Sequence, residues 1–136
     1  MSKTATLLIS RQPLRPTSRT GWVAQAKKAA HWLKDNDYTL CSSVGIQTWE
    51  LVTSLGSILG IRQRIYLNAD NEAEFTDLSA QVQQQFDLDP NLTEFIPVFS
   101  ERKLQSKVDR LAARDRAIVS GSHLVLPISL RDGSGL

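Results

Sequence analysis

The chain has 136 residues, of which 41% are hydrophobic and 22% charged, and its formal net charge at pH 7 is +2. These values are ordinary for one globular domain that buries its own core. No apolar run reaches the ~20 residues that a transmembrane helix requires, and residues 1–13 lack the apolar segment of a secretory signal. The single cysteine excludes an internal disulfide, so we expect a cytoplasmic protein that does not bind a membrane.

Although the net charge is small, basic and acidic residues are concentrated in separate segments of the chain. Residues 1–34 contain seven basic residues and no acidic one, whereas residues 68–94 contain seven acidic residues and no basic one. Residues 101–116 are basic again, with six basic residues against three acidic ones. If the two basic blocks share one face, they form an electropositive surface that attracts anionic partners. The alternative is that each block is an ordinary solvated face.

The first half of the chain alternates short apolar strands with helical patterns. Residues 10–19 are predicted to form a loop, because their two prolines interrupt a helix. Gly60 is predicted to cap the second helix at its C-terminal end, and Gly56 inside that helix to pack closely on the sheet. The predicted order is a strand at 4–9, a helix at 21–36, a strand at 38–41, a helix at 46–59 and a strand at 64–67.

The second half continues the same alternation. Asn71 is predicted to cap a helix with an acidic first turn, and Pro97 favours an edge position or a bulge for its strand. The predicted order is a helix at 72–86, a strand at 94–99, a helix at 104–120 and a strand at 124–128. Strands separated by helices form βαβ units. We therefore expect residues 1–136 to form a single α/β domain, a three-layer Rossmann-like domain with a mainly parallel sheet of about five strands.

A turn of small residues links the second predicted strand to the second predicted helix. It contains Ser42, Ser43 and Gly45. Backbone N–H groups at the start of a helix, together with the helix dipole, form a favourable site for a phosphate group. We predict that these three residues bind phosphate; the alternative is an ordinary strand-to-helix turn.

Two further segments follow predicted strands at the same edge of the sheet. Ser10 and Arg11 come after the first strand, and Gly133 and Ser134 come after the last. Ligands of open α/β sheets bind outside the carboxyl ends of the strands, so we predict that these residues contribute to one ligand-binding edge. For Gly133 and Ser134 the alternative is a flexible C-terminal tail.

The helix predicted at 104–120 carries three consecutive charged residues, Arg114, Asp115 and Arg116. The apolar stripe that ends at Leu111 continues to Asp115, which places this carboxylate on or near the core face. A carboxylate there requires a partner. We predict that one arginine holds Asp115 while the other faces a ligand anion; the alternative is a structural ion pair.

Neither a metal site nor a cofactor is predicted. His31 and His123 have no second ligand at a suitable spacing, and the chain has only one cysteine. Cys41, at the end of a strand, is predicted to be a small buried hydrophobic residue rather than a nucleophile.

Taken together, these motifs resemble the DNA-processing A (DprA/Smf) family, within the Rossmann-like group that includes the LOG-type nucleotide phosphoribohydrolases. The resemblance is carried by the segments at 10–13, 42–47, 114–121 and 133–135. It implies the fold, a phosphate-binding edge, and a role in DNA processing through single-stranded DNA. Gln47 stands where the family has aspartate and Asp115 where it has asparagine, and the family's C-terminal helix and strand have no counterpart here. The phosphoribohydrolase glutamate motif also has no counterpart.

Three functional hypotheses follow. The first is a non-catalytic binding module for a phosphate-bearing ligand, either a nucleotide or single-stranded nucleic acid. The second is an enzyme that hydrolyses a nucleotide, in the manner of a phosphoribohydrolase, for which Glu50, Asp115 and Asp132 are the carboxylates near the predicted edge. The third is a degenerate relative that serves as an interaction surface and forms a homo-oligomer, with acidic and basic blocks meeting between subunits.

Overall fold

A computed structural model describes the chain over residues 3–9, 16–99 and 107–128, and side chains over 3–9, 23–99 and 110–128. Strands and helices alternate throughout these ranges. In chain order they are β1 (Lys3–Ile9), α1 (Pro16–Asp35), β2 (Tyr38–Ser43), α2 (Gln47–Leu59), β3 (Gln63–Ala69), α3 (Glu72–Gln85), β4 (Thr93–Phe99), α4 (Lys107–Ser120) and β5 (Leu124–Ile128).

The described strands form one five-stranded sheet in the order β4-β3-β2-β1-β5, and every neighbouring pair is parallel. The chain thus adds β2, β3 and β4 on one side of β1 and then returns to place β5 on the other. Ile9 and Ile128 are register partners, so β1 and β5 end side by side. The expectation of an α/β fold with a mainly parallel sheet of about five strands is confirmed.

The helices cover both faces of the sheet, which gives three layers. A parallel crossover is right-handed, so helices that follow steps in one direction share a face, and the helix of the returning step takes the other. The core agrees with this rule: Leu40 and Ile65 pack with α1, α2 and α3, whereas the next residues, Cys41 and Tyr66, pack with Ile118 of α4. The domain is therefore Rossmann-like in architecture.

Most helix ends match the sequence prediction, with one clear exception. Gly60 caps α2 with a left-handed φ of 68°, and the Asn71 side chain accepts a hydrogen bond of 2.9 Å from the amide of Glu74 at the start of α3. The loop predicted over 10–19 is wrong from Pro16 onward, because α1 begins there. Proline is well tolerated in the first helical turn, where its missing N–H would have no partner inside the helix.

Two sequence predictions concern the packing of α2 and the edge of the sheet. Gly56 lies against the side chain of Gln63 on β3, so close that an added Cβ would overlap its amide group. This confirms the predicted close packing of Gly56 on the sheet. Pro97 lies on β4, which is an edge strand, as predicted.

The two basic blocks belong to opposite faces of the sheet. Lys27, Lys28 and Lys34 lie on α1, whereas Arg110, Arg114 and Arg116 lie on α4. In the described part of the chain they do not form one continuous electropositive surface. Within the same residues, no helix combines the length and apolarity needed to cross a membrane.

Candidate functional site

A cavity of about 480 Å³ opens at the carboxyl edge of the sheet, beyond the ends of β2 and β3 and between α3 and α4. This volume lies within the range of small-molecule sites. One wall is apolar and is formed by Leu67, Leu78 and Val82, and the opposite wall carries Arg110 and Arg114. The turn after β2 closes one end. The cavity therefore combines an apolar surface with two cationic side chains, a combination suited to an amphipathic anion.

Arg114 is the most unusual residue of this cavity, because it is a buried cation. The residue is only 3% exposed. Its Nη1 donates to the carbonyl oxygen of Val44 at 2.9 Å, and its Nε to Oδ1 of Asp115 at 3.3 Å. Its Nη2 is buried without a hydrogen-bond partner among the described residues. Burial lowers the pKa of Arg114, and the adjacent Asp115 carboxylate opposes that change. An anion in the cavity would complete its set of partners.

The apolar stripe of α4 continues from Leu111 to Arg114 and Ile118, rather than to Asp115. Residues at i, i+3 and i+7 share one helical face, and Arg114 and Ile118 are both buried. The side chain of Asp115 is 43% exposed. Asp115 therefore lies near the core face rather than on it, because the stripe advances by three residues at this point rather than four.

Asp115 nevertheless holds the buried arginine in place. Its Oδ1 accepts hydrogen bonds from Nε of Arg114 and, at 3.2 Å, from Nε1 of Trp49. Arg116 is exposed and does not line the cavity; two positions along a helix correspond to about 200° of rotation. Arg114 thus both binds Asp115 and lines the cavity, whereas the sequence prediction assigned these two roles to different arginines.

The turn after β2 is held by its own side chains. The hydroxyl of Ser42 shares a hydrogen bond of 2.9 Å with Thr53, and that of Ser43 donates to the carbonyl oxygen of Tyr66 at 2.6 Å. Both serines are buried. Gly45 has a φ of 92°, which favours glycine, and its N–H donates to Oε2 of Glu50 at 2.9 Å. The turn amide therefore already bonds an anionic group, supplied by the chain itself.

Sequence reasoning missed two polar side chains that line the cavity. Asn68, near the end of β3, lines it, and its Oδ1 is buried without a hydrogen-bond partner among the described residues. Arg110 also lines it and forms an ion pair of 3.3 Å with Asp70. The signal that was overlooked is the change from apolar to polar residues at the carboxyl end of β3, the same signal that singled out the turn after β2.

The structure brings together three of the predicted site residues, since Ser43, Gly45 and Arg114 line one cavity. Ser42 is buried in the strand just before the turn, and Arg116 lies on another side of α4. The remaining predicted residues fall outside the described residues; they are Ser10, Arg11, Gly133 and Ser134.

The described lining of this cavity contains no aspartate, glutamate, histidine or cysteine. Glu50 and Asp115 both accept hydrogen bonds within the protein, and Asp132 lies outside the described residues. Over the same part of the chain, no group of three or more acidic, histidine or cysteine side chains is arranged to hold a metal ion. Cys41 is buried, as predicted.

A second cavity, of about 530 Å³, lies between α1 and β5. It is lined by apolar side chains such as Trp32 and Leu126 and by Lys28. None of the buried polar atoms that lack a partner in the described residues belongs to its lining. The cavity between α3 and α4 is therefore the better candidate for a specific ligand.

Comparisons of the chain with protein-family models, with curated proteins and with solved structures find no match.

Proposed function

We propose that this domain is a non-catalytic binding module for a small phosphate-bearing ligand, a nucleotide, held in the cavity between α3 and α4. The proposal rests on one observation: the guanidinium of Arg114 is buried, yet its Nη2 has no hydrogen-bond partner among the described residues. Leaving a buried charged group incompletely paired is costly, and a phosphate oxygen is a strong acceptor for a guanidinium N–H. The bound ligand would supply the missing partner.

A mononucleotide fits this cavity better than single-stranded nucleic acid does. A nucleic acid strand is usually bound along a continuous positive groove with stacking aromatic residues. Here the described basic blocks lie on opposite faces, and the described cavity lining contains no aromatic residue. Two arginines beside an apolar wall, of which Arg110 is paired with Asp70, are suited to one phosphate and one base. The resemblance to the DNA-processing A family supports nucleic acid as the second candidate.

Calorimetric titration with nucleoside monophosphates, ribose 5-phosphate and a short single-stranded oligonucleotide tests this proposal. Arg114→Met removes the charge but keeps much of the side-chain length, and Arg116→Met is the matched control on the exposed side of α4. A charged hydrogen bond contributes about 1.5–3 kcal/mol, so we expect Arg114→Met to weaken nucleotide binding by roughly tenfold or more. Arg116→Met should bind nucleotide like the wild type.

Two results would count against the proposal. If wild-type protein binds none of the phosphate compounds, the cavity is not a phosphate site. If Arg116→Met and Arg114→Met weaken binding equally, the surface charge of α4 is responsible instead of the buried guanidinium. Tight binding of the oligonucleotide alone, with an affinity that falls steeply as salt is added, would favour the nucleic acid candidate.

A further inference from the structure

The side-chain carbonyl of Asn68 is the second unpaired polar group of the cavity. Its Oδ1 is buried and has no hydrogen-bond partner among the described residues. A buried acceptor without a donor is destabilising unless something supplies the donor. Asn68 lines the same cavity as Arg114, so both side chains adjoin the space that a ligand would fill.

The two groups differ in what they require from that ligand. The Nη2 of Arg114 is a cationic donor and favours an anionic acceptor, whereas the Oδ1 of Asn68 is an acceptor and requires an N–H or O–H group. Phosphate has strong acceptor oxygens and supplies the first requirement only. The ligand must therefore carry a hydrogen-bond donor in a part of the molecule other than its phosphate.

The environment of Asn68 indicates which part of the ligand that is. Successive residues of a strand point to opposite faces, so Asn68 lies beside Leu67 at the sheet edge but on the side of α4. Leu67, Leu78 and Val82 form an apolar wall of the same cavity. A planar base buries its faces against such a wall and presents N–H groups only at its edge, whereas a sugar requires several polar partners.

We infer that Asn68 determines base specificity, by accepting a hydrogen bond from an N–H group of the nucleotide base while Arg114 binds the phosphate. This inference rests on the proposed function and extends it from the phosphate to the base of the ligand. Asparagine side chains recognise base edges in the same manner in nucleic-acid complexes, where they pair with adenine.

The test compares wild-type protein with Asn68→Leu, a variant of similar size that lacks the carbonyl group. Calorimetry gives the affinity of each for the four nucleoside monophosphates and for ribose 5-phosphate, which has the phosphate but no base. One hydrogen bond between neutral groups corresponds to about three- to tenfold in affinity. We expect Asn68→Leu to lose about that factor for the preferred nucleotide and to bind ribose 5-phosphate like the wild type.

A second comparison identifies the N–H group directly. Methylation of the base N–H of the preferred nucleotide should weaken binding to wild-type protein and have little further effect on Asn68→Leu. Gln63→Met is the matched control, because Gln63 also has a buried carbonyl oxygen without a partner but does not line this cavity. It should leave the order of nucleotide affinities unchanged.

The stability of the ligand-free protein separates recognition from a structural role. Removing an unpaired buried acceptor should leave the melting temperature of Asn68→Leu unchanged or raise it, whereas removal of a structural hydrogen bond would lower it. The inference is overturned if Asn68→Leu keeps the wild-type order of nucleotide affinities while Arg114→Met still abolishes phosphate binding. If wild-type protein binds no phosphate compound, the proposed function itself fails, and the inference with it.

Discussion

The guanidinium of Arg114 donates to the carbonyl oxygen of Val44 across 2.9 Å, which fastens α4 to the turn that follows β2. The two residues are 70 positions apart in the chain. On the other side of that turn, the N–H of Gly45 donates to the Glu50 carboxylate of α2. The turn is thus held between one helix on each face of the sheet, and its geometry depends on charged groups from both.

The Glu50 carboxylate accepts the Gly45 N–H, which would otherwise be available to a phosphate at this turn. We predict that Glu50→Ala tightens the binding of inorganic phosphate several-fold, because it frees the Gly45 N–H and removes a negative charge from the start of α2. The loss of an acidic group near a helix N-terminus should cost about 0.3–1 kcal/mol of stability. Calorimetric titration with phosphate measures the first effect, and thermal unfolding the second.

Glu72→Ala is the control for this prediction, since Glu72 is an acidic residue in the first turn of α3. It should have a similar small effect on stability and no effect on phosphate affinity. If Glu50→Ala instead weakens phosphate binding, the carboxylate supports the site rather than competing with the ligand.

Gly56 leaves no room for a larger residue, because the side chain of Gln63 lies against it. We predict that Gly56→Ala lowers the free energy of unfolding by about 1–3 kcal/mol, because the added methyl group overlaps the buried amide of Gln63. Alanine has the higher helix propensity, by roughly 1 kcal/mol, so helix propensity alone predicts the opposite sign. Urea denaturation measures the difference. With Gln63→Ala present, Gly56→Ala should cost much less; an equal cost in both backgrounds would contradict the explanation.

Cys41 should make the protein less stable in alkaline solution. Burial raises the pKa of its thiol above the ordinary value of 9.0, with a hydrogen bond from Ser122 acting in the opposite direction. Because the folded protein holds this proton more tightly than the unfolded chain, the stabilisation is complete below pH 9 and is lost as pH rises through the folded-state pKa.

The measurement is urea denaturation between pH 8 and pH 11 for wild-type protein and Cys41→Ala. The variant should be less stable at pH 8, because it leaves space in the core, but its stability should fall less between pH 9 and pH 10. Burial also raises the pKa of Tyr66, whose ordinary value is 10.0. The stability of Cys41→Ala is therefore still expected to decline above pH 10. Parallel curves for the two proteins would contradict the assignment to Cys41.

The fold was predictable from sequence to a greater extent than the site. Apolar runs such as the one at Ile65 and capping residues such as Asn71 act locally, so the order of strands and helices followed directly. The role of Arg114 did not follow, because consecutive charged residues give no indication of which one faces the core. Asn68 was missed for a related reason: whether an amide near the end of a strand finds a partner depends on helices that come later in the chain.

The position of β1 has a consequence for how the protein is made. Thr4 and His123 are hydrogen-bonded although 119 positions separate them, and β1 pairs with β2 on one side and β5 on the other. During synthesis from the N-terminus, β1 therefore has one unpaired edge until β5 has left the ribosome. Such an edge invites association with other chains, and parallel pairing of distant segments is slow. Among the described strands, β1 is thus synthesised before both of its neighbours and is the last to gain its second partner.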